Sequence, residues 1–133
     1  MIYVEIPGTP VAQGRPRFSR YGHAYDPATS RQYKQAVAFC ARNAYSDDPL
    51  TGAISVTMRI YRPIQKAGSK KLHADKEAGR VRPTVKPDVD NVYKAVSDAM
   101  TGIIWHDDNQ IVQVNISKFY ALRPHVEVEI EEI

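Results

Sequence analysis

Apolar and polar residues alternate from Ile2 to Ile6, with Ile2, Val4 and Ile6 on one side and Tyr3 and Glu5 on the other. That period of two predicts a half-buried strand, ended by Pro7-Gly8. Residues 8–28 are turn-rich and basic. From about Thr29 to Tyr45 the period lengthens: Tyr33, Ala36, Val37, Cys40 and Ala44 share one helical face, while Arg31, Gln35, Ala38 and Arg42 mark the opposite one. This predicts an amphipathic helix with Cys40 in the core, stopped by Asp47-Asp48-Pro49. Residues 52–62 return to alternation, with Ile54, Val56, Met58 and Ile60 inward, and predict a second strand ending at Pro63.

Residues 64–87 have weak periodicity and read as a long loop with one short helix near Leu72–Ala78. Loops of this length are uncommon in compact domains and are often functional. Beyond Pro87, the residues Val89, Val92, Tyr93, Val96, Ala99 and Met100 predict a second amphipathic helix, with Gly102 as its C-cap. Residues 111–120 and 125–132 then read as an antiparallel pair turning at Arg123-Pro124, with Val112, Val114 and Ile116 facing inward beside Val126, Val128 and Ile130. The expected fold is α+β, in the order β-α-β-α-β-β: a four-stranded mixed sheet covered by two amphipathic helices, as a single domain over residues 1–133. The polar sheet face, which includes Glu127, Glu129, Gln113 and Asn115, is either solvated or a dimer interface.

Composition narrows the class. With 133 residues, 43% hydrophobic and 25% charged, the chain has the length and mixture of one domain, and the single cysteine cannot form an internal disulfide. No stretch approaches the roughly 20 apolar residues of a membrane span, and the first residues lack a signal-peptide pattern. A cytoplasmic protein without membrane attachment is expected. Net charge is only +3, yet residues 61–86 hold eight cations against Asp75 and Glu77, and residues 14–34 hold five against Asp26. Two basic segments point to a polyanion such as nucleic acid, or simply to solvated loops.

The densest constellation is Lys86-Pro87-Asp88-Val89-Asp90-Asn91-Val92-Tyr93-Lys94, followed by Trp105-His106-Asp107-Asp108-Asn109-Gln110. It sets Asp88 and Asp90 at the start of the second helix, Lys94 one turn along from Asp90, and Asp107 and Asp108 between the helix and the next strand. Clustered carboxylates suit a hard cation such as Mg²⁺, which would also relieve their mutual repulsion. Taken separately, each pair reads first as structural, a helix N-cap and a turn, and it is their joint occurrence with a flanking lysine and a basic loop that points to a metal site. Other motifs fail on spacing. An EF-hand from Asp88 would need glycine and glutamate where Tyr93 and Ala99 stand, and neither Lys94 nor Lys118 has an acid two residues before it. Neither a phosphate-cradling glycine loop nor a zinc spacing is present, so no nucleotide cofactor is expected. His106 reads as a partly exposed turn residue or a proton carrier. In the segment Val11–Tyr21, arginines alternate with aromatics, suiting phosphates and unpaired bases.

The run Asp88-Val-Asp90-Asn-Val-Tyr-Lys94, with Trp105-His-Asp107-Asp108-Asn-Gln-Ile-Val, closely resembles the signature of the RusA family of Holliday junction resolvases. Gly14-Arg15-Pro16-Arg17 and Lys118 resemble its phage and prophage branch. The resemblance implies a homodimeric, Mg²⁺-dependent endodeoxyribonuclease, with Mn²⁺ as a substitute, that nicks four-way DNA junctions symmetrically in recombination and repair. It implies Asp88, Asp90 and Asp108 as metal-site carboxylates, Lys94 as the essential lysine and Asp107 as an adjacent acid of the metal site. DNA phosphates are then expected at Arg15, Arg17, Arg20, Lys70, Lys71, Arg80, Arg82 and Lys86. The alternatives are a branched-DNA-binding protein without catalysis, whose binding would ignore Mg²⁺, and a metal-dependent flap or other structure-specific nuclease.

Overall fold

The computed structural model describes residues 1–14, 17–22, 24–25 and 28–133. The elements are β1 (Ile2–Pro7), β2 (Arg17–Phe18), β3 (Ala24–Tyr25), α1 (Ala28–Ala44), β4 (Ile54–Pro63), α2 (Lys70–Glu77), α3 (Val89–Met100), a single 3-10 turn (Asp108–Gln110), β5 (Ile111–Ala121) and β6 (His125–Glu132). The main sheet is mixed, in the order β1-β6-β4-β5, and β2 and β3 form a separate short ribbon. The expected α+β class and four-stranded mixed sheet are found, with α1 and α3 on the sheet and α2 as a third, shorter helix. None of the described helices is long and apolar enough to cross a membrane.

β4 carries the core. Its alternation places Ile54, Val56, Met58 and Ile60 at no more than 1% exposure, beside Val126, Val128 and Ile130 of β6 and Val4 and Ile6 of β1. On the other side of this layer, α1 contributes Tyr33, Val37 and Ala41, and α3 contributes Val92, Ala95, Val96 and Met100. The buried stripe of α1 is rotated from the expected one: Ala36 and Ala44 are exposed, while Ser30 and Ala41 are buried and Cys40 is half-buried against the core. The swap of alanines costs little, since either can face solvent.

The expected hairpin of β5 and β6 does not form. β4 lies between them, parallel to β5 and antiparallel to β6, so residues 122–124 cross the end of β4. Side chains explain the order. Arg59 of β4 donates from Nε to Glu127 at 2.7 Å and from the guanidinium to Glu129 at 2.9 Å, both on β6, whereas β5 offers the uncharged Gln113, Asn115, Ser117 and Phe119 on that face. Being most apolar on its inner side, β4 also gains most from a central place. β5 becomes the edge, and Val112 and Val114, expected inward, are 62% and 42% exposed because no helix covers that end.

The crossover from β4 to β5 is held by cations. Ser69 caps α2 by accepting from the Leu72 N–H at 3.1 Å. Lys76, only 6% exposed, lies 4.7 Å from the ring centroid of Tyr120. Arg82 stacks over Phe119 at 4.0 Å and donates to the Lys118 carbonyl at 3.2 Å. Lys118 in turn donates from Nζ to the carbonyls of Val85 at 2.9 Å and Pro87 at 3.1 Å. The strap 82–87 is thus fastened to the outer half of β5.

At its other end α3 hands the chain to a turn built around Trp105, which is fully buried. The Gly102 N–H donates to the Trp105 carbonyl at 2.6 Å, with Gly102 at φ 90°, a conformation that favours glycine. Trp105 Nε1 donates to Thr101 Oγ1 at 3.0 Å, and that hydroxyl donates to the Ser97 carbonyl at 2.8 Å. Replacing Trp105 with alanine should therefore cost about 3–5 kcal/mol, read by urea unfolding followed by far-ultraviolet circular dichroism. A loss under about 1 kcal/mol would show that the turn does not depend on the indole.

Candidate active site

α3 begins at Asp88, which occupies the N-cap position but makes no side-chain capping bond. Its carboxylate, and that of Asp90 in the first turn, are exposed and make no hydrogen bond or ion pair with the described residues. The helix dipole favours both charges there. Lys94, one turn on from Asp90, is exposed as well. The approach to Asp88 is fixed from behind by Lys118, whose ammonium holds the Val85 and Pro87 carbonyls across the cis Lys86-Pro87 peptide.

Asp107 and Asp108 occupy the turn that leads into β5, and they differ in kind. Asp107 is a cap: Oδ1 accepts from the Asn109 N–H at 2.9 Å, and its own N–H donates to Gln110 Oε1 at 2.8 Å. Gln110 anchors the turn, donating from Nε2 to the carbonyls of Leu50 at 2.8 Å and Gly52 at 3.0 Å. Asp108 is exposed. The Asn109 N–H and then the Asp108 carboxyl hold Asp107 below the ordinary carboxylate range. Asp108 is raised, first by its hydrogen bond with the Asp107 carboxyl, then by partial loss of water and by the charges of Asp107 and Asp98. Tyr93, half-buried on α3, is raised by burial and then by the charge of Asp108.

The aspartates do not form a closed cage. Among the described residues, the group of three that brings ligand atoms within 4.8 Å of one another is Glu5, His125 and Glu127, on the open face of the sheet. There His125 Nε2 lies 3.1 Å from Glu127 Oε2 and 3.7 Å from Glu5, and the Tyr61 ring stacks between His125 and Phe119. Sequence reasoning missed this group, because Glu5 meets β6 only through the β1–β6 register. Asp88 and Asp90 instead offer hard oxygens that no other described residue engages, and Asp108 adds an exposed carboxyl shared only with its neighbour Asp107. That donor set fits Mg²⁺, which keeps several waters and takes few direct carboxylates, better than a cation needing an all-protein cage.

The expected DNA contacts divide. Lys70 and Lys71 open α2, and with Arg20 and Lys86 they are exposed. Arg80 pairs with Asp75 at 2.8 Å, and Arg82 is held by β5. Arg15 lies outside the described residues, and Arg17 is described through its backbone in β2. His106 is exposed in the turn. Gln13, to which sequence reasoning assigned no role, sits beside Asp88: its N–H donates to the Asn91 carbonyl at 2.9 Å, and it lines a pocket with Ala12, Lys86, Pro87, Asp88 and Asn91.

Exposed carboxylates at a helix start, with the exposed Lys86 and Lys94 close by in sequence, are groups that phosphodiester chemistry can use. Similarity to known proteins agrees. The family model described as Endodeoxyribonuclease RusA matches residues 7–131, and the chain belongs to that family. It is also 47% identical over 131 residues to the "Uncharacterized protein YqaN" of Bacillus subtilis (strain 168), covering 95% of this chain and 92% of that protein.

The opposed shifts of Asp107 and Asp108 give a direct test. In metal-free protein Asp108 should titrate above the ordinary carboxylate range, and Asp107→Asn, which removes the neighbouring acid, should bring it down. Carbon-13 NMR of the side-chain carboxyls reads this; an unchanged Asp108 would show that Asp107 is not the cause.

Proposed function

We propose that the protein is a divalent-metal-dependent endodeoxyribonuclease that resolves four-way DNA junctions as a homodimer, by paired nicks in opposing strands. One observation carries the reading: within a chain of the RusA family, Asp88 stands at a helix start without a side-chain capping bond, and its carboxylate, that of Asp90 and the ammonium of Lys94 are exposed and engaged by no other described residue. In this reading Asp88, Asp90 and Asp108 hold Mg²⁺, or Mn²⁺ in its place, with Asp107 beside them. The bound ion would polarise the scissile phosphate and lower the pKa of a water. Lys94 offsets charge that builds on the phosphate oxygens. Asp107 caps the turn and holds Asp108 in place.

Arg20, Lys70, Lys71 and Lys86 are the exposed cations that meet DNA phosphates, joined by Arg15 and Arg17, while Arg80 and Arg82 add field from their fixed positions. Two copies related by a two-fold axis would match the symmetry of a four-way junction.

With purified protein and Mg²⁺, a labelled four-way junction should be nicked at symmetric positions in two opposing strands and a matched linear duplex left uncut. EDTA and Asp90→Asn should each abolish nicking, with junction binding retained. If Asp90→Asn lost binding as fully as cutting, a catalytic role for Asp90 would be refuted. Tight binding with no nick under any divalent ion would overturn the enzyme reading.

Binding should also weaken steeply with salt. Replacing Lys70 or Lys71 with alanine should reduce the slope of log affinity against log salt by about 1 for each DNA phosphate no longer neutralised, measured by fluorescence anisotropy. An unchanged slope would remove α2 from the DNA-binding surface.

A further inference from the structure

A second group of metal-ligating side chains lies away from the aspartates, on the open face of the sheet. The inward residues of β1 and β6 are Val4, Ile6, Val126, Val128 and Ile130, so Glu5, His125 and Glu127 point the other way, and the sheet stands between them and α3. The β1–β6 register sets Glu5 directly opposite Glu127, with His125 two residues along β6 on the same face. One ligand atom from each lies within 4.8 Å of the other two.

Like charges directly opposite on an antiparallel pair repel. Arg59 answers part of this charge, donating from Nε to Glu127 Oε1 and from the guanidinium to Glu129 Oε1. Glu127 Oε2 and Glu5 are left facing His125 Nε2, at 3.1 Å and 3.7 Å. Three carboxylates thus share one guanidinium, and the charge left over is what a dication would balance.

The histidine shows what kind of group balances it. Its Nδ1 lies 2.8 Å from the Arg123 carbonyl, an oxygen that only accepts, so Nδ1 carries the hydrogen. In the neutral ring Nε2 then turns its lone pair toward two carboxylates, a repulsive arrangement with nothing between them. A cation between them removes the conflict, and a second ring nitrogen tied to a backbone carbonyl is the usual support of a metal-bound histidine. The ring is fixed further by stacking on Tyr61, with centroids 4.2 Å apart and planes at 11°.

Distances and donor type select the ion. Ligands roughly 2.1 Å from a tetrahedral Zn²⁺ stand about 3.4 Å from one another. The 3.1 Å and 3.7 Å separations found here bracket that value. An imidazole nitrogen with two carboxylates suits Zn²⁺, whereas Mg²⁺ takes oxygen ligands.

We propose that Glu5, His125 and Glu127 bind a divalent transition metal of the Zn²⁺ type, with water in the fourth position, at a site separate from Asp88, Asp90 and Asp108. The ion staples β1, an edge strand, to β6. The proposal stands on this geometry and does not depend on the nuclease reading.

The test is a titration of the full-length protein with Zn²⁺ alone, in competition with a chromophoric chelator, beside Asp88→Asn to account for the other carboxylates. Wild type and Asp88→Asn should both bind an ion whose affinity falls at least about tenfold in His125→Gln and in Glu5→Gln. Nitrogen-15 NMR of the imidazoles gives a second reading: on adding Zn²⁺, the His125 Nε2 signal should move while Nδ1 keeps its hydrogen. The Glu5 side chain is 55% exposed, so Glu5→Gln should fold with an unchanged thermal midpoint in EDTA. Zn²⁺ should raise the midpoint of wild type more than that of Glu5→Gln. Zn²⁺ binding lost in Asp88→Asn and untouched by His125→Gln would overturn the proposal, because the ion would then sit with the aspartates. A His125 that carries hydrogen on both ring nitrogens and ignores Zn²⁺ would overturn it too, a proton having taken the place of the metal.

Discussion

The place of β4 at the centre of the sheet governs the rest of this molecule. Its inner side is almost wholly buried, and its outer side carries the guanidinium that joins two glutamates of β6. With β6 on one side of β4, β5 must take the other, and it does so in parallel. A parallel neighbour cannot be reached by a tight turn, so the chain needs a long crossover. That crossover is α2, the strap and α3, which is where the acidic residues lie. Asp88 stands where the strap becomes α3, and Asp108 where α3 returns to β5.

The basic segment between β4 and α3 serves two ends. Lys76 against Tyr120, Arg82 on Phe119 and Lys118 reaching back to the strap are cations used to fasten the crossover to an edge strand. Stems of lysine and arginine pack well on aromatic faces, and their charged heads find ring faces or carbonyls there. The same fastening covers the outer half of the β5 edge, which would otherwise expose unpaired backbone groups. Lys70, Lys71 and Lys86 are exposed and make no such contact among the described residues. Counting charge along the chain cannot separate the two groups, because the difference lies in which aromatic ring or carbonyl each cation reaches.

The site shows the same division. Asp88 and Asp107 are both N-cap residues by position, yet Asp107 caps and Asp88 does not. Asp107 has an amide within reach, because Asn109 turns back toward it, and it spends an oxygen there. Asp88 follows a strap held from behind by Lys118, and its carboxylate is left over. An acid that a fold does not need for itself is available to a substrate or an ion.

What the amino-acid sequence determined by itself is local. Periods of two and 3.6 residues located α1, β4, α3 and the flanking strands to within a few residues, because alternation and amphipathicity are properties of neighbouring positions. The short helix near Leu72, the Gly102 turn and the grouping of Asp88 and Asp90 at a helix start were equally legible, for the same reason. What the tertiary structure decided is pairing at a distance. Strand order came from Arg59 meeting Glu127 and Glu129 some seventy residues away, and Val112 and Val114 were left exposed because the covering helices end elsewhere. The pocket that Gln13 and Asp88 line together, and the group Glu5, His125 and Glu127, exist only because separate segments converge. Burial and hydrogen-bond satisfaction are set by what packs on a residue from elsewhere in the chain, and no local pattern encodes that.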